Sequence, residues 1–276
     1  MLFRSFLVSV ILLDIIRIIN HFIPFYPDYI TKNYQKTKEF IFYGIVLLVG
    51  IIVLIGHINF LYPRIYTKEI KINKQVKDFK TLNIVVASDI HMGTIVTNGR
   101  VRKLVDMVNG LNPDIILLPG DILDEDLEPV LRRNLGEDIS KLKAKYGVYA
   151  VNGNHEFIGG AEEADKSLRN HGINLLRDSV AVIDDRFLIV GREDLSVNRI
   201  RKRKTIDELL SGYNKELPII LLYHQPFKLF EAENAGVDLQ LSGHTHHGQL
   251  FPFNYLTKKI YEVSWGYKKK GNTNIY

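Results

Sequence analysis

The feature that most constrains this fold is an uncharged apolar run of 23 residues from Phe40 to Tyr62. At 1.5 Å per residue, a helix of this length spans roughly 30 Å, the thickness of the hydrocarbon core of a bilayer. Aromatic side chains lie at both ends of the run, as in the interfacial belts of membrane proteins. We therefore predict a membrane-spanning helix over residues 40–62 and favour it over a helix buried in a soluble core.

A second apolar segment covers residues 3–25 and is interrupted by Arg4, Asp14 and Arg17. Asp14 and Arg17 are three residues apart, so their side chains can pair on one face of a helix. We predict a first membrane span here, with an interfacial helix as the alternative. No small-residue cleavage site follows the segment, which argues against a cleaved signal peptide.

Basic residues on either side of the second predicted span indicate its orientation. They are Lys32, Lys36 and Lys38 before it, and Arg64, Lys68, Lys71, Lys74, Lys77 and Lys80 after it. Cytoplasmic flanks tend to carry the excess of lysine and arginine, which favours a C-terminal domain facing the cytoplasm. The same lysines could equally contact the anionic headgroups of either leaflet. We divide the chain into a membrane segment over 1–63, a basic stalk over 64–80 and a soluble domain over 81–276.

From Thr81 onward, short apolar runs alternate with amphipathic stretches. Nearly continuous apolar strands are typical of sheets covered on both faces, so we predict a layered α/β domain. The predicted strands are Leu82–Ser88, Asp114–Pro119, Gly147–Asn152, Phe187–Val190, Ile219–Tyr223 and Asp238–Leu241. The predicted helices are Arg100–Asn109, Glu128–Lys145, Glu162–Asn170 and Gln225–Ala235.

Side chains able to bind a metal ion follow five of these strands. They are Asp89 and His91, then Asp121 and Asp124, then Asn154, His155 and Glu156, then His224, and finally His244 and His246. Ligands of open α/β sheets bind beyond the carboxyl ends of the strands, so we expect these segments to converge. Six of the nine histidines fall in or beside these motifs. Each motif alone is more often a surface turn, whereas the ordered set of five predicts a metal site.

The chain has no cysteine, which excludes thiolate metal sites, disulfides and cysteine nucleophiles. The metal donors must therefore be nitrogen and oxygen atoms. Mn, Fe and Zn all suit such a mixed set, and the residues do not choose among them.

The five motifs together resemble the signature of the calcineurin-like metallophosphoesterases. The matching blocks are Asp89-Ile90-His91, Gly120-Asp121 with Asp124, Gly153-Asn154-His155-Glu156, His224 and Gly243-His244-Thr245-His246. The resemblance covers about Thr81 to Phe253 and implies a four-layer α-β-β-α sandwich. With the apolar N-terminal segment and Gly248-Gln249, the chain is similar to the membrane-associated bacterial branch of this family. That branch includes enzymes that cleave the pyrophosphate of UDP-2,3-diacylglucosamine, a reaction of lipid A biosynthesis.

The resemblance also implies two divalent metal ions and assigns ligands to each. One ion would be held by Asp89, His91 and His246, and the other by Asn154, His224 and His244. Asp121 would bridge the two ions, which would together activate a water molecule for attack on phosphorus.

The remaining residues of the motifs receive supporting roles. His155 would stabilise the transition state or protonate the leaving oxygen rather than bind metal. Asp124 and Glu156 would orient the site or contact the substrate. His247 stands where the family usually has the first residue of Gly-Gly, and we favour a bystander there over an extra substrate contact.

Three further features leave alternatives open. The basic run Arg199–Lys204 is either a solvated loop or a site that attracts anionic lipid or a phosphorylated substrate. The aromatic-rich stretch 251–265 either packs as core, which we favour, or lines a lipid-facing groove. Family members usually continue beyond Asn274–Tyr276 with more strands, so we expect a fragment whose second sheet is incomplete.

We predict from these observations a membrane-bound, metal-dependent phosphoester or pyrophosphate hydrolase. Its partners would be membrane lipids, and its substrate would be lipid-linked or part of the cell envelope, such as a phosphorylated lipid or a nucleotide-sugar-lipid. The alternatives are a non-catalytic membrane-anchored binding or scaffold protein and a nuclease-type phosphodiesterase. The complete set of candidate ligands favours an enzyme, while the membrane segment and the lack of a recognisable nucleic-acid-binding module disfavour nucleic acid.

Overall fold

The computed structural model describes residues 2–76, 79–249 and 251–276, and the chain divides into two compact units between Glu69 and Ile70. Ile70 packs against the core of the second unit, and Lys74 forms an ion pair with Asp238 at 2.7 Å. This unit therefore begins before the predicted boundary at residue 81, and the end of the predicted stalk belongs to it. Lys77 lies outside the described residues.

The helices described within residues 2–69 of the N-terminal unit are α1 Leu2–Phe22, α2 Asp28–Lys32 and α3 Tyr34–Leu61. Within the described residues, α3 alone is long and apolar enough to cross a membrane. It covers the span predicted over 40–62, and most of its apolar side chains are exposed. Helix α1 covers the first predicted span, 3–25, as far as Phe22 and pairs Asp14 with Arg17 at 3.2 Å. That α1 also crosses a membrane stays a prediction.

The second unit is built around two sheets, here described for residues 79–249 and 251–276. The first sheet has the order β1-β2-β3-β4 and is wholly parallel, with β1 Ile84–Val86, β2 Ile115–Pro119, β3 Val148–Val151 and β4 Ile173–Leu175. The second has the order β5-β6-β7-β8-β10-β9, with β5 Ser179–Ile183, β6 Phe187–Gly191, β7 Ile219–Leu222, β8 Leu239–Leu241, β9 Lys268–Lys270 and β10 Thr273–Ile275. Its inner strands are parallel, while β5 and β9 lie antiparallel at the two edges.

Short helices connect the strands and cover the sheets. They are α4 Asn98–Gly110, α5 Glu128–Arg132, α6 Leu135–Ile139, α7 Asn154–Gly159, α8 Ala161–Asn170, α9 Ile206–Leu210, α10 Leu229–Asn234 and α11 Phe253–Ile260. Helix α4 illustrates why they form here, since its valines at 101, 105 and 108 recur at helical spacing and are all buried. Two 3-10 turns, Leu195–Arg199 and His246–Gly248, complete the connections.

The predicted four-layer sandwich is confirmed by the way alternate side chains of β2 divide between two cores. Ile116 and Leu118 face helices α4, α6 and α8, whereas Ile115 and Leu117 face the second sheet. On the outer face of the second sheet, Val190 belongs to a third core that includes residues of α9 and α10. The order of layers is therefore helix, sheet, sheet, helix.

The single helix predicted over Glu128–Lys145 is wrong, because the chain forms α5 and α6 and then leaves the helical conformation. Asn134 adopts a left-handed conformation with φ of 51° between the two helices. Gly136 lies against the ring of His171, where any larger side chain would overlap. The predicted helix Gln225–Ala235 is likewise shortened to α10, since Lys228 before it is left-handed with φ of 51°.

The C-terminal stretch differs from the favoured prediction of a core segment. Phe251 is 80% exposed and Trp265 is 67% exposed, so these aromatic side chains of the stretch 251–265 are not core. Beyond them, β10 pairs with β8 and buries Ile275 completely. The last residues therefore contribute a strand to the second sheet, and the expected incompleteness of that sheet stays a prediction.

Candidate metal centre

The carboxyl ends of β1, β2, β3, β7 and β8 converge on one site, and they come from both sheets. Within the first sheet, the Asp89 N–H donates to the Gly120 carbonyl at 3.1 Å. Across the two sheets, the His224 ring lies 2.8 Å from the Pro119 carbonyl through Nδ1, and the His244 N–H donates to Asp89 Oδ1 at 2.9 Å. These contacts bring all seven predicted ligand residues together.

The first predicted set of ligands, Asp89, His91 and His246, forms a compact group whose ligand atoms lie within 4.8 Å of one another. His246 Nε2 is 3.4 Å from Asp89 Oδ1 and 3.4 Å from His91 Nε2. Burial lowers the pKa of His91, which favours the neutral ring with a lone pair available to a cation.

A second group joins Asp121, His224 and His244 within the same limit. Asn154 completes this side of the site, because its Oδ1 lies 2.8 Å from His244 Nδ1. Asp121 also belongs to a third group with His91 and His155, so its carboxylate faces ligand atoms on both sides.

His224 provides the test of whether these residues fit a metal ion. Its ring is fully buried, and Nδ1 is held by the Pro119 carbonyl. Nε2 faces Asp121 Oδ2 at 3.1 Å without hydrogen-bond geometry and has no other partner among the described residues. An unsatisfied buried nitrogen opposite a carboxylate is unfavourable, and a cation shared by both atoms removes that cost. The donor set therefore fits divalent metal.

The charges of this pair support the same conclusion. Burial would lower the pKa of His224, but the adjacent Asp121 carboxylate raises it to about 9. Burial would raise the pKa of Asp121, yet contact with His224 lowers it to about 2. Without a metal ion, a proton on His224 balances the charge of the Asp121 carboxylate. A proton and a metal ion therefore compete for the His224 ring nitrogen that faces Asp121.

The comparison with known families follows directly from this geometry. Residues 82–248 match the family model of the calcineurin-like phosphoesterases, which is more than half of the chain. The chain belongs to this family.

Three relatives show how far the likeness of this phosphoesterase extends. A transmembrane protein with metallophosphoesterase domain from Danio rerio is 32% identical over 78% of this chain and 52% of its own length. An uncharacterized metallophosphoesterase from Helicobacter pylori is 30% identical over 90% of this chain and 67% of its own length. An uncharacterized metallophosphoesterase from Aquifex aeolicus is 32% identical over 77% of this chain and 81% of its own length. The chain thus spans about half the length of the zebrafish relative.

Membrane association is indicated by helix α3 together with the relatives named as transmembrane proteins.

Glu156 supports the phosphoesterase site from within the protein. Its side chain is buried and accepts hydrogen bonds from the N–H groups of Gly153 at 2.8 Å, Leu123 at 2.8 Å and Asp121 at 3.1 Å. These bonds tie the segment after β2 to the segment after β3 and so fix Asp121. Burial and the nearby Asp121 charge raise the pKa of Glu156 to about 7. The Glu156 side chain therefore supports these loops from the interior and is not exposed to solvent.

His155 and Asp124 lie at the outer edge of the site. The His155 N–H donates to Asp121 Oδ1 at 3.0 Å, and the His155 ring reaches Asp124 Oδ1 through Nδ1 at 3.2 Å. The His155 ring is about a quarter exposed, so it can meet a substrate arriving from solvent. Its membership of a group with His91 and Asp121 means that the geometry also permits metal ligation.

A cavity of about 420 Å³ opens beside the first ligand group. Asp89, His246 and Trp265 all line it, and the Trp265 side chain is also exposed to solvent. His247 lines the same cavity, with its Nδ1 3.1 Å from Ser264 Oγ. Trp265 and Ser264 are not among the predicted site residues, because no motif in the sequence connects the C-terminal segment with the metal ligands.

The basic run 199–204 is partly internal to the phosphoesterase unit. Arg201 pairs with Asp178 at 3.0 Å and with Glu193 at 3.2 Å. Arg203 is buried with its guanidinium 4.9 Å from the centre of the Tyr223 ring. The solvated-loop alternative does not describe Arg203, because that side chain is buried. It does describe Lys202 and Lys204, which are exposed, and Arg201 is 43% exposed despite its two ion pairs.

Gly153 makes the close approach of Asp121 possible, and we expect Gly153→Ala to disrupt the site. A Cβ at this position would overlap Asp121 Oδ1 and the Asp121 backbone nitrogen. Overpacking of this kind costs about 1–3 kcal/mol of unfolding free energy. We expect weaker metal binding as well, because Asp121 must move. Urea denaturation and metal titration of the purified variant would measure the two effects.

Gly99→Ala is the matched control for that experiment. Gly99 lies in α4 with open space where its Cβ would be. Alanine in a helix is favoured over glycine by about 0.5–1 kcal/mol, so this variant should be as stable as the parent or more so. Equal stability and metal affinity of Gly153→Ala and Gly99→Ala would contradict the steric argument.

Proposed function

We propose that this chain hydrolyses phosphoester or phosphoanhydride bonds with two divalent metal ions, and that its substrate is held at a membrane surface. The observation that carries the proposal is the position of Asp121. Its buried carboxylate belongs to one candidate group with His224 and His244 and to another with His91 and His155, which is what a ligand shared by two ions requires.

The roles of the side chains follow from their positions. Asp89, His91 and His246 would hold one ion and Asn154, His224 and His244 the other. Divalent ions at these positions polarise phosphoryl oxygens and lower the pKa of water. Glu156 keeps the segment carrying Asp121 in place through three backbone hydrogen bonds.

His155 is the group placed to handle the leaving oxygen. It stands at the exposed edge of the site beside Asp121, where a substrate arriving from solvent would meet it. Asp124 orients the His155 ring through the contact with Nδ1 at 3.2 Å. A proton held on the other ring nitrogen could then pass to the leaving oxygen.

The membrane part of the proposal has separate support. Helix α3 can anchor the chain, and two curated relatives are named as transmembrane proteins. A phosphorylated lipid or a nucleotide-sugar-lipid, of which UDP-2,3-diacylglucosamine is one example, would bring its phosphate to the site from the bilayer. The basic residues after α3 favour a cytoplasmic position for the phosphoesterase unit.

Removal of metal tests the proposal directly. The full chain in detergent, stripped with a chelator, should lose hydrolysis of bis(p-nitrophenyl) phosphate and p-nitrophenyl phosphate by at least about 100-fold. Addition of Mn²⁺, Fe²⁺ or Zn²⁺ should restore it, and the best ion would identify the metal. The ratio of the two aryl substrates would separate diesterase from monoesterase activity.

The natural substrate class requires a second comparison with the same protein. We expect release of nucleotide or phosphate from UDP-diacylglucosamine or a phosphorylated lipid, and none from DNA. Activity no greater than that of an Asp121→Asn protein on every substrate would leave the non-catalytic binding protein as the remaining function. Cleavage of DNA alone would replace the proposal with a nuclease.

A further inference from the structure

The C-terminal segment carries an exposed apolar surface that the metal site does not use. We call it the aromatic face, and it consists of Phe251, Phe253, Tyr255, Leu256, Ile260 and Trp265. All six side chains are exposed, with Phe253 at 53%. Phe251 and Tyr255 contact each other, with ring centroids 5.9 Å apart. Exposed apolar side chains gathered in one segment mark a site of interaction.

The apolar side chains of α11 are exposed because this helix packs on the protein through its polar side. Phe253, Leu256 and Ile260 are spaced three and four residues apart, so they form one stripe along the helix. Asn254 and Thr257 lie on the adjoining side and are half-buried. An amphipathic helix on a soluble protein normally turns its apolar stripe toward the core. Here the polar residues meet the protein, and the apolar stripe meets the surroundings.

The charge around the aromatic face identifies what covers it. Residues 251–276 contain five lysines and a single acidic residue, Glu262. Lys268 and Lys270 pair with Glu262 at 2.9 Å, while Lys258, Lys259 and Lys269 are exposed. Aromatic and aliphatic side chains combined with lysine are the composition of helices that lie in the interface of an anionic bilayer.

The same charge argues against a second copy of the chain as the occupant. A symmetric dimer through this face would bring the lysines of one copy close to those of the other, with only Glu262 of each to offset them. A bilayer with anionic lipid supplies the opposite charge together with the apolar phase. Helix α3 gives the same chain a segment able to cross a bilayer.

We propose that the aromatic face is a second membrane attachment, which inserts its apolar side chains among the headgroups of anionic lipid. Trp265 belongs both to this face and to the lining of the cavity that also contains Asp89 and His246. Docking of the face therefore holds the mouth of the cavity at the lipid surface. This inference goes beyond the proposed hydrolysis and does not require the site to be catalytic.

Trp265 is the single tryptophan of the chain and reports on the proposal without any label. The full chain is reconstituted in nanodiscs of phosphatidylcholine alone or with about 30% phosphatidylglycerol, each with and without brominated acyl chains. In the anionic discs, we expect brominated lipid to quench Trp265 fluorescence at least about twofold and acrylamide to quench it less. In the neutral discs, we expect brominated lipid to have little effect.

A charge-reversal variant and its matched control complete the experiment. Lys258→Glu with Lys259→Glu should reduce the quenching in anionic discs to the neutral level. Lys143→Glu with Lys166→Glu makes the same change of charge at two exposed lysines, one in the connection between α6 and β3 and one in α8, and it should leave the quenching unchanged. Raising NaCl to about 0.5 M should weaken the quenching of the unmodified chain, which gives a test that needs no variant.

Three results would overturn the proposal. One is the absence of quenching by brominated lipid in anionic discs. Another is equal quenching in neutral and anionic discs. The third is protection of Trp265 from both acrylamide and brominated lipid that grows with protein concentration, since that would show a second copy covering the face.

Discussion

Asp121→Asn is expected to lower kcat/KM for an aryl phosphodiester by at least about 1,000-fold and to reduce the bound metal. The amide has the shape of the carboxylate but not its charge, and its nitrogen cannot act as a ligand. Asp121 belongs to two candidate ligand groups, so the substitution removes a negative charge from both. We expect the loss to reduce the stabilisation of the transition state by several kcal/mol. Steady-state kinetics together with elemental analysis of the purified full chain would measure both effects.

Asp185→Asn is the control for this change. Asp185 is exposed in the turn between β5 and β6 and has φ of 52°, close to the 50° of Asp121. It therefore matches the substitution in chemistry and in backbone conformation but lies outside the site. An Asp121→Asn protein that kept both its metal and its activity would show that the shared-ligand geometry has no functional meaning.

His155→Ala is expected to separate turnover from metal binding. The ring lies at the exposed edge of the site, where its Nδ1 is within hydrogen-bond distance of Asp124 Oδ1 at 3.2 Å and lies 3.7 Å from Glu125 Oε1. Loss of a group that transfers a proton to the leaving oxygen typically costs about 10²–10⁴-fold in rate. We expect kcat to fall by this amount while the metal content stays unchanged, and added imidazole to restore part of the rate.

The opposite outcome has a structural meaning of its own. His155 lies near enough to His91 and Asp121 to share an ion with them. If the alanine variant lost metal in proportion to activity, His155 would be a ligand, and the assignment of roles would have to change. His21→Ala removes an exposed histidine from α1 and should alter neither quantity.

Much of the fold was predictable because the central strands are apolar on both faces. The stretches around Ile115–Pro119 and Ile219–Leu222 are fully buried, and no other element type accounts for such short apolar runs. Strands β4 and β5 lack this signal, since their exposed and buried residues alternate or mix. Strand β9 consists of three lysines at the edge of the sheet. Its sequence has no strand signal, and it is extended because it pairs with β10.

The site divides in the same way between what local sequence encodes and what tertiary contacts create. The ligand residues were predictable because each motif directly follows a strand. The role of Glu156 was not predictable. Its carboxylate is buried and accepts hydrogen bonds from three backbone N–H groups, and nothing in the sequence distinguishes such a glutamate from an exposed one. The ion pairs of Arg201 were equally hidden, since its partners Asp178 and Glu193 come from other segments.

The metal ligands come from the ends of both sheets, and this arrangement links cation affinity to the apolar layer between them. Leu117 and Leu222 pack in that layer, and neither is a metal ligand. Any sliding of one sheet over the other would change the separation between Asp89 and His244, which are joined at 2.9 Å. A substitution such as Leu222→Ala would create a cavity in this apolar layer without touching a ligand atom. The two sheets could then shift relative to each other, the distances between ligand atoms would vary more, and metal binding would weaken.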